Sequence, residues 1–384
     1  MKRKNILIVT GTRAEYGLLR STMKAIRAQG GLALSVLVTG MHLSGTFGRT
    51  VTEIEKDDFP IAAKVKMTPG EDSSAAMAAS VGIGIQGMVR AFKKIRPDVV
   101  LVLGDRVEAL AAAVAAAYMN IVVAHVHGGD KTQAGLDESA RHAITKLAHV
   151  HFPATKKSAE RIKRLGEKGN MIHVVGAPGL DAIVYGDMTS EDQLSAKFNL
   201  DISRPFVLLV QHSVSTDPKS AKQQMIETLR ALVRVKIPVI VVYPNADAGG
   251  RAMITVVKEY ERKHTFIQAY QNISRSDYLG LLRTAAVLVG NSSSGIVEAA
   301  FFRVPVVNIG QRQAGRERAA NVLDTHPDAR AIEQTLRKAL SEQFRAGLHT
   351  LKNPYGNGRA GEKIAGVLAG LHIDQALLQK QITY

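Results

Sequence analysis

The chain has 384 residues, 50 Lys plus Arg against 34 Asp plus Glu, a formal charge of +16 and 46% hydrophobic residues. That apolar content excludes a disordered chain, because enough surface is available for burial to offset backbone entropy, and the length predicts two or three domains. Cysteine is absent, which excludes disulfides, thiolate zinc sites, iron–sulfur clusters and a cysteine nucleophile.

The chain starts MKRKNILIVTGTR. The apolar run Ile6–Val9 is too short for the core of a signal peptide and reads as a first strand. Further strands are predicted near Leu34–Val38, Val99–Leu103, Ile121–Ala124 and Ile172–Val174. Helices are predicted between them, near Glu15–Ala28, Ser73–Ile95, Val107–Tyr118, Glu138–Ala148 and Lys156–Leu165. The uncharged stretch between Glu108 and His125 is mostly alanine, and reads as a buried helix and strand in place of a membrane span. The polar segment Tyr185–Pro205 interrupts the rhythm. Strands then resume at Phe206–Val210, Val239–Val242, Phe266–Gln268, Val287–Val289 and Val304–Val307.

This alternation predicts an α/β fold of two Rossmann-like domains, each a parallel sheet covered by helices. The expected boundaries are 1–184 and 185–365, with a tail at 366–384 that packs back on the first domain. The basic residues are dispersed and lack interleaved aromatics, so no nucleic-acid partner is expected. A cytoplasmic protein without a membrane segment is expected.

Ligands of open parallel sheets bind beyond the carboxyl ends of the strands, and the polar clusters fall there. After the first strand, Gly11-Thr12-Arg13 offers a helix N-terminus and a planar cation for an anion; a plain turn is the alternative. Gly104-Asp105-Arg106 follows VVLVL, with Asp105 either a helix cap or a catalytic acid. His125-Val126-His127-Gly128-Gly129-Asp130 follows, then Asp137, Glu138, Arg141 and His142. Strand alternation places His125 and His127 on one face, and the two glycines permit close approach of a ligand. Acid–base chemistry, a metal on His125, His127 and Asp130, or structural histidines all fit this cluster.

In the second half, His212 follows FVLLV, Asn245 follows VIVVYP, and Gly290-Asn291-Ser292-Ser293-Ser294-Gly295 opens a helix bearing Glu298. Serines there bind phosphate or merely cap the helix. Arg312 follows the last of these strands. A literal GxGxxG at Gly82, Gly84 and Gly87 lies inside a helical pattern with no strand before it, and reads as helix packing in place of a dinucleotide fingerprint.

Taken in order, TGTRAEYG, TGMHLSGTFG, LGDR, HVHGGDKT, DESARHAITK, GNSSSGIVE and NIGQRQAGR resemble the UDP-N-acetylglucosamine 2-epimerase family, in its hydrolysing, sialic-acid-pathway branch. The resemblance implies a GT-B-type arrangement with an interdomain cleft and UDP held mainly by the second domain. It implies a UDP-sugar as partner, a homodimer or homotetramer, and neither cofactor nor metal. It also implies a reaction in which UDP is eliminated as the sugar loses its C2 proton, and water then adds to the resulting glycal to release N-acetylmannosamine. By the same resemblance Asp105 and Asp137 are catalytic carboxylates, and Arg13 and His212 lie near the sugar diphosphate. Arg106, Asn245, Ser292, Ser293, Glu298 and Arg312 bind the nucleotide. His127 stands where many members have Glu, so either His127 or Asp130 takes that acid–base role.

Overall fold

A computed structural model describes residues 3–43, 50–67, 74–131, 136–186, 188–214, 217–244, 249–271 and 273–384. The chain divides into two compact units. One comprises Met1–Lys131, Leu136–Asp181 and Tyr355–Tyr384, and the other contains Ala182–Pro354.

The first unit is built on six parallel strands: β1 (Lys4–Thr10), β2 (Leu32–Thr39), β3 (Ile61–Val65), β4 (Val99–Leu103), β5 (Val122–Val126) and β6 (Val150–Phe152). Their order is β3-β2-β1-β4-β5-β6. The second unit repeats the plan with β7 (Val207–Val210), β8 (Val239–Val242), β9 (Ile267–Tyr270), β10 (Val287–Gly290), β11 (Val306–Ile309) and β12 (Val322–Thr325), ordered β12-β11-β10-β7-β8-β9. Counting each sheet from its own first strand, the two orders are the same. Each sheet therefore has its topological switch point between its first and fourth strands, β1/β4 and β7/β10, where ligands of such folds bind.

The central strands are apolar on both faces because helices cover both. Ile6, Ile8, Val99 and Leu101 pack with Leu19 and Met23 of the helix Arg13–Ala28 and with Ile364 of the helix Ala360–Gly370. The alternate residues Leu7, Val9, Val100 and Val102 pack with Met88 and Phe92 of the helix Ser74–Ile95 and the alanines of the helix Val107–Tyr118. Among the described residues, the helix Ser74–Ile95 is the one long and apolar enough to cross a membrane, by length and composition. Two glycines of its GxGxxG serve close packing, while Gly82 faces open space: a Cβ at Gly87 would fall 2.5 Å from Val65, and one at Gly84 would fall 2.6 Å from Met67.

Several features differ from expectation, among them the edge strands β3, β6 and β12, where no strand was expected. No strand forms at Ile172–Val174; a short turn of 3-10 helix at Gly169–Met171 leads into a single bridge between Ile172 and His151, and the edge strand is Val150–Phe152. The chain also re-enters the first unit at Tyr355, ahead of the expected tail. Buried Asp181 fixes that return by accepting from the N–H groups of Ala360 and Gly361 at 2.9 and 2.7 Å, capping the last long helix.

Candidate active site

The turn after β1 is closed on itself. Thr12 caps the helix Arg13–Ala28 by accepting from Glu15 N–H at 3.2 Å, and the Glu15 carboxyl accepts the Gly11 N–H at 2.6 Å. That N–H, a donor expected to meet an anion, is thus taken by the protein. Burial pushes the Glu15 carboxyl up to about 8, with the neighbouring Glu108 adding to the shift. Glu108 explains two glycines. A Cβ on Gly11 would fall 2.6 Å from Glu108 Cγ, and one on Gly40 would fall 2.4 Å from its Oε1. Arg106 donates its Nε–H to Glu108 at 3.2 Å, while Arg13 reaches outward to Glu53 at 2.9 Å.

Asp105 does not cap the helix after β4; Arg106 occupies that position without a side-chain cap bond. Asp105 instead accepts from Arg141. Arg141 is almost fully buried, and also donates to Glu138 at 2.7 Å and to the Asp130 carbonyl at 2.9 Å. Asp137 is exposed in the first turn of the helix Leu136–Leu147, where its charge acts on Arg106. Asp105, Asp130 and Asp137 are thereby gathered around two guanidinium groups, those of Arg141 and Arg106.

The two histidines have different partners. His125 is fully buried in β5, with Nε2 2.7 Å from the Gly104 carbonyl and Nδ1 3.2 Å from Thr145 Oγ1. Burial pushes it down to about 3, so it is neutral and pins the tip of β4 to β5. The strand ends at Val126, and His127 adopts a left-handed backbone with φ +63°. This breaks the alternation and directs His127 Nδ1 to Asp130 Oδ2 at 3.1 Å. The glycines between them answer to protein contacts. A Cβ at Gly128 would fall 2.9 Å from His125, and one at Gly129 2.2 Å from the Ser158 carbonyl. Among the described residues no three His, Cys, Asp or Glu side chains gather as a metal site.

In the second unit the switch point is fastened by Asn291. Its Oδ1 accepts the His212 N–H at 2.7 Å and its Nδ2 donates to the His212 carbonyl at 2.9 Å, tying the tip of β7 to that of β10. The Asn291 carbonyl accepts from Arg312 at 3.2 Å and from Gln313 at 2.9 Å. Burial, with Arg312 nearby, pushes the His212 imidazole down to about 4. Ser292 caps the helix Ser293–Phe302 by accepting from Ser294 N–H at 3.3 Å, and Ser293 is exposed at its first position. Glu298 is buried and paired with Arg275 at 2.7 Å. Asn245 lies outside the described residues.

Sequence reasoning missed Arg141, Asn291, Arg275 and the buried acids Glu15 and Glu108 as organisers. Asn291 stood inside a motif already singled out, and its place directly after β10 was the signal available. Arg275 carried no signal, because its partner lies far along the chain.

Residues 24–369 match the sequence profile of the UDP-N-acetylglucosamine 2-epimerase family. A UDP-N,N′-diacetylbacillosamine 2-epimerase (hydrolyzing) of Legionella pneumophila is 38% identical, over 99% of this chain and 100% of that protein. The polysialic acid biosynthesis protein P7 of Escherichia coli is 33% identical, over 92% of this chain and 90% of that protein. The crystal structure of UDP-GlcNAc 2-epimerase from Neisseria meningitidis bound to UDP-GlcNAc has the same fold, with a TM-score of 0.84 and 18% identity over 96% of this chain and 100% of that one. The chain belongs to the UDP-N-acetylglucosamine 2-epimerase family, alongside hydrolysing relatives.

Proposed function

We propose that this UDP-sugar 2-epimerase is a hydrolysing one, converting a UDP-2-acetamido sugar to UDP and the free 2-epimer. A base removes the C2 proton as the C1–O bond breaks and UDP leaves with the electron pair, forming a C1=C2 double bond. Water then adds hydroxyl at C1 while a proton returns to the opposite face of C2. The C2–H is weakly acidic, so positioned carboxylates and imidazole must act together with stabilised departure of the diphosphate. The observation that carries the reading is this set of groups on the loops at and beside the two switch points, in a chain similar over its whole length to a protein named as hydrolysing.

In this reading Asp105 and Asp137 exchange protons with the sugar. His127 replaces the Glu of other members, and Asp130 orients it. Arg13 and Arg106 contribute cations to the diphosphate. His212, neutral at pH 7, contributes a hydrogen bond there. Ser292 and Ser293 at the helix start, with Arg312, bind phosphate; Glu298 and Asn245 complete the nucleotide contacts. We further expect a homodimer or homotetramer; light scattering measures it.

The sugar is UDP-N-acetylglucosamine in the first reading, giving N-acetylmannosamine. The second is a UDP-2,4-diacetamido-2,4,6-trideoxy sugar, favoured by the name of the 38% identical relative. Presenting both at equal concentration and comparing kcat/KM decides: at least a tenfold preference for either selects it. Transfer of the sugar to an added acceptor in place of water would replace both with a glycosyltransferase.

A further inference from the structure

We propose that Ser158 is a positioning residue for the His127 imidazole, acting through Asp130; this rests on the acid–base role given to His127. Ser158 lies in the first turn of the helix Lys156–Arg164 and is 2% exposed, remote in sequence from the HVHGGD loop. Its Oγ donates to Asp130 Oδ1 at 2.8 Å, and the other carboxylate oxygen meets His127 Nδ1 at 3.1 Å. One oxygen of Asp130 thus meets the hydroxyl and the other meets the ring.

The direction of the serine proton is fixed by chemistry. Thr155 Oγ1 donates to Ser158 Oγ at 3.0 Å, while itself accepting the Ser158 N–H at 3.1 Å as helix cap. Arg161, which can only donate, lies 3.4 Å from the same Oγ. With two donors aimed at its oxygen, Ser158 turns its own proton to Asp130. Ionised, Asp130 only accepts, so it holds the imidazole proton on Nδ1 and leaves Nε2 to exchange a proton with substrate. The loop is held against this helix by the Arg161 bond to the Gly129 carbonyl at 2.6 Å, and by the close approach of Gly129 to the Ser158 carbonyl. Other charged or titratable groups facing the pair are Arg141, bonded to the Asp130 carbonyl, and His125 in β5.

Ser158→Ala removes the hydroxyl while Thr155 remains to accept the helix N–H, so the helix is retained, as circular dichroism checks. We expect kcat to fall about tenfold, the effect of one hydrogen bond, with KM within about twofold. In 15N spectra of the full-length protein, the Nδ1–H signal of His127, assigned by its loss in His127→Gln, should disappear or shift in Ser158→Ala. In an Asp130→Asn background, Ser158→Ala should cost nothing further, since coupled groups are non-additive. An unchanged kcat, an unchanged His127 signal, or an effect that simply multiplies with that of Asp130→Asn would overturn the proposal. The imidazole signal needs no substrate: if the native protein releases no UDP from either sugar, the reaction reading fails while the spectrum still decides the role of Ser158.

Discussion

The two sheets share one strand order, yet the loops at and beside their switch points are made of different chemistry. In the first unit the tips of β4 and β5 carry carboxylates, imidazole and guanidinium groups held against one another, with Arg141 at the centre. In the second, the tips of β7 and β10 are fastened by the neutral amide of Asn291 and lead into a helix capped by serine. The first arrangement can move protons, because burial and pairing decide which groups are charged. The second presents fixed donors and a helix N-terminus, which suit a permanent anion. A common fold thus leaves the chemistry to the loops that follow the strands.

The largest expected effect breaks catalysis and spares binding. Asp105→Asn should lower kcat by about a hundredfold or more, while calorimetry finds UDP affinity within about twofold; equal losses in both would place Asp105 in binding. His127→Ala should follow, with a loss of about thirtyfold to a hundredfold in kcat, exceeding the loss in Asp130→Asn. The reverse ranking, measured with the same substrate, would give the acid–base role to Asp130.

The complementary probe is Asn291→Ala, which should weaken UDP binding about tenfold and cost about 2 kcal/mol of stability in urea titrations, because the backbone groups of His212 lose both partners. A larger loss in kcat than in UDP affinity would erase the contrast between the units.

The smallest effect concerns Glu15. Its folded pKa, pushed up to about 8, lies above that of an unfolded glutamate, so the native state binds the extra proton between those values. Stability therefore falls as pH rises through that window, by at most about 1.4 kcal/mol per pH unit. His125 and His212 are pushed down and act on the acidic side, where stability rises with pH up to the ordinary histidine range. Between pH 7 and 8.5 the Tm should decline in the native protein and stay flatter in Glu15→Gln. Equal slopes would mean that Glu15 is ionised at pH 7.

What the sequence made legible follows the same physics. The central strands, buried on both faces, are continuous apolar runs and were readable. The unpredicted strands β3, β6 and β12 all lie at sheet edges, where β3 and β12 are partly exposed and β6 is three residues with a central His. Strand-tip residues such as Asp105 and Ser292 were readable because a polar residue follows an apolar run. That Asp105 pairs with Arg141 and does not cap the helix was not, since Arg141 arrives from another helix. The partner of His127 was not readable, because alternation does not hold one residue past the strand end, where its backbone is left-handed. Gly128 and Gly129 were assigned to a ligand because their crowding neighbours, His125 and Ser158, are set by tertiary structure.

The most direct test of the central claim is the reaction run in D2O and followed by proton NMR. Loss of the C2 proton followed by hydration predicts UDP and a free 2-epimer in equal amounts, with deuterium at C2. A free sugar that keeps its original C2 hydrogen and configuration, or a 2-epimer still joined to UDP, would contradict it.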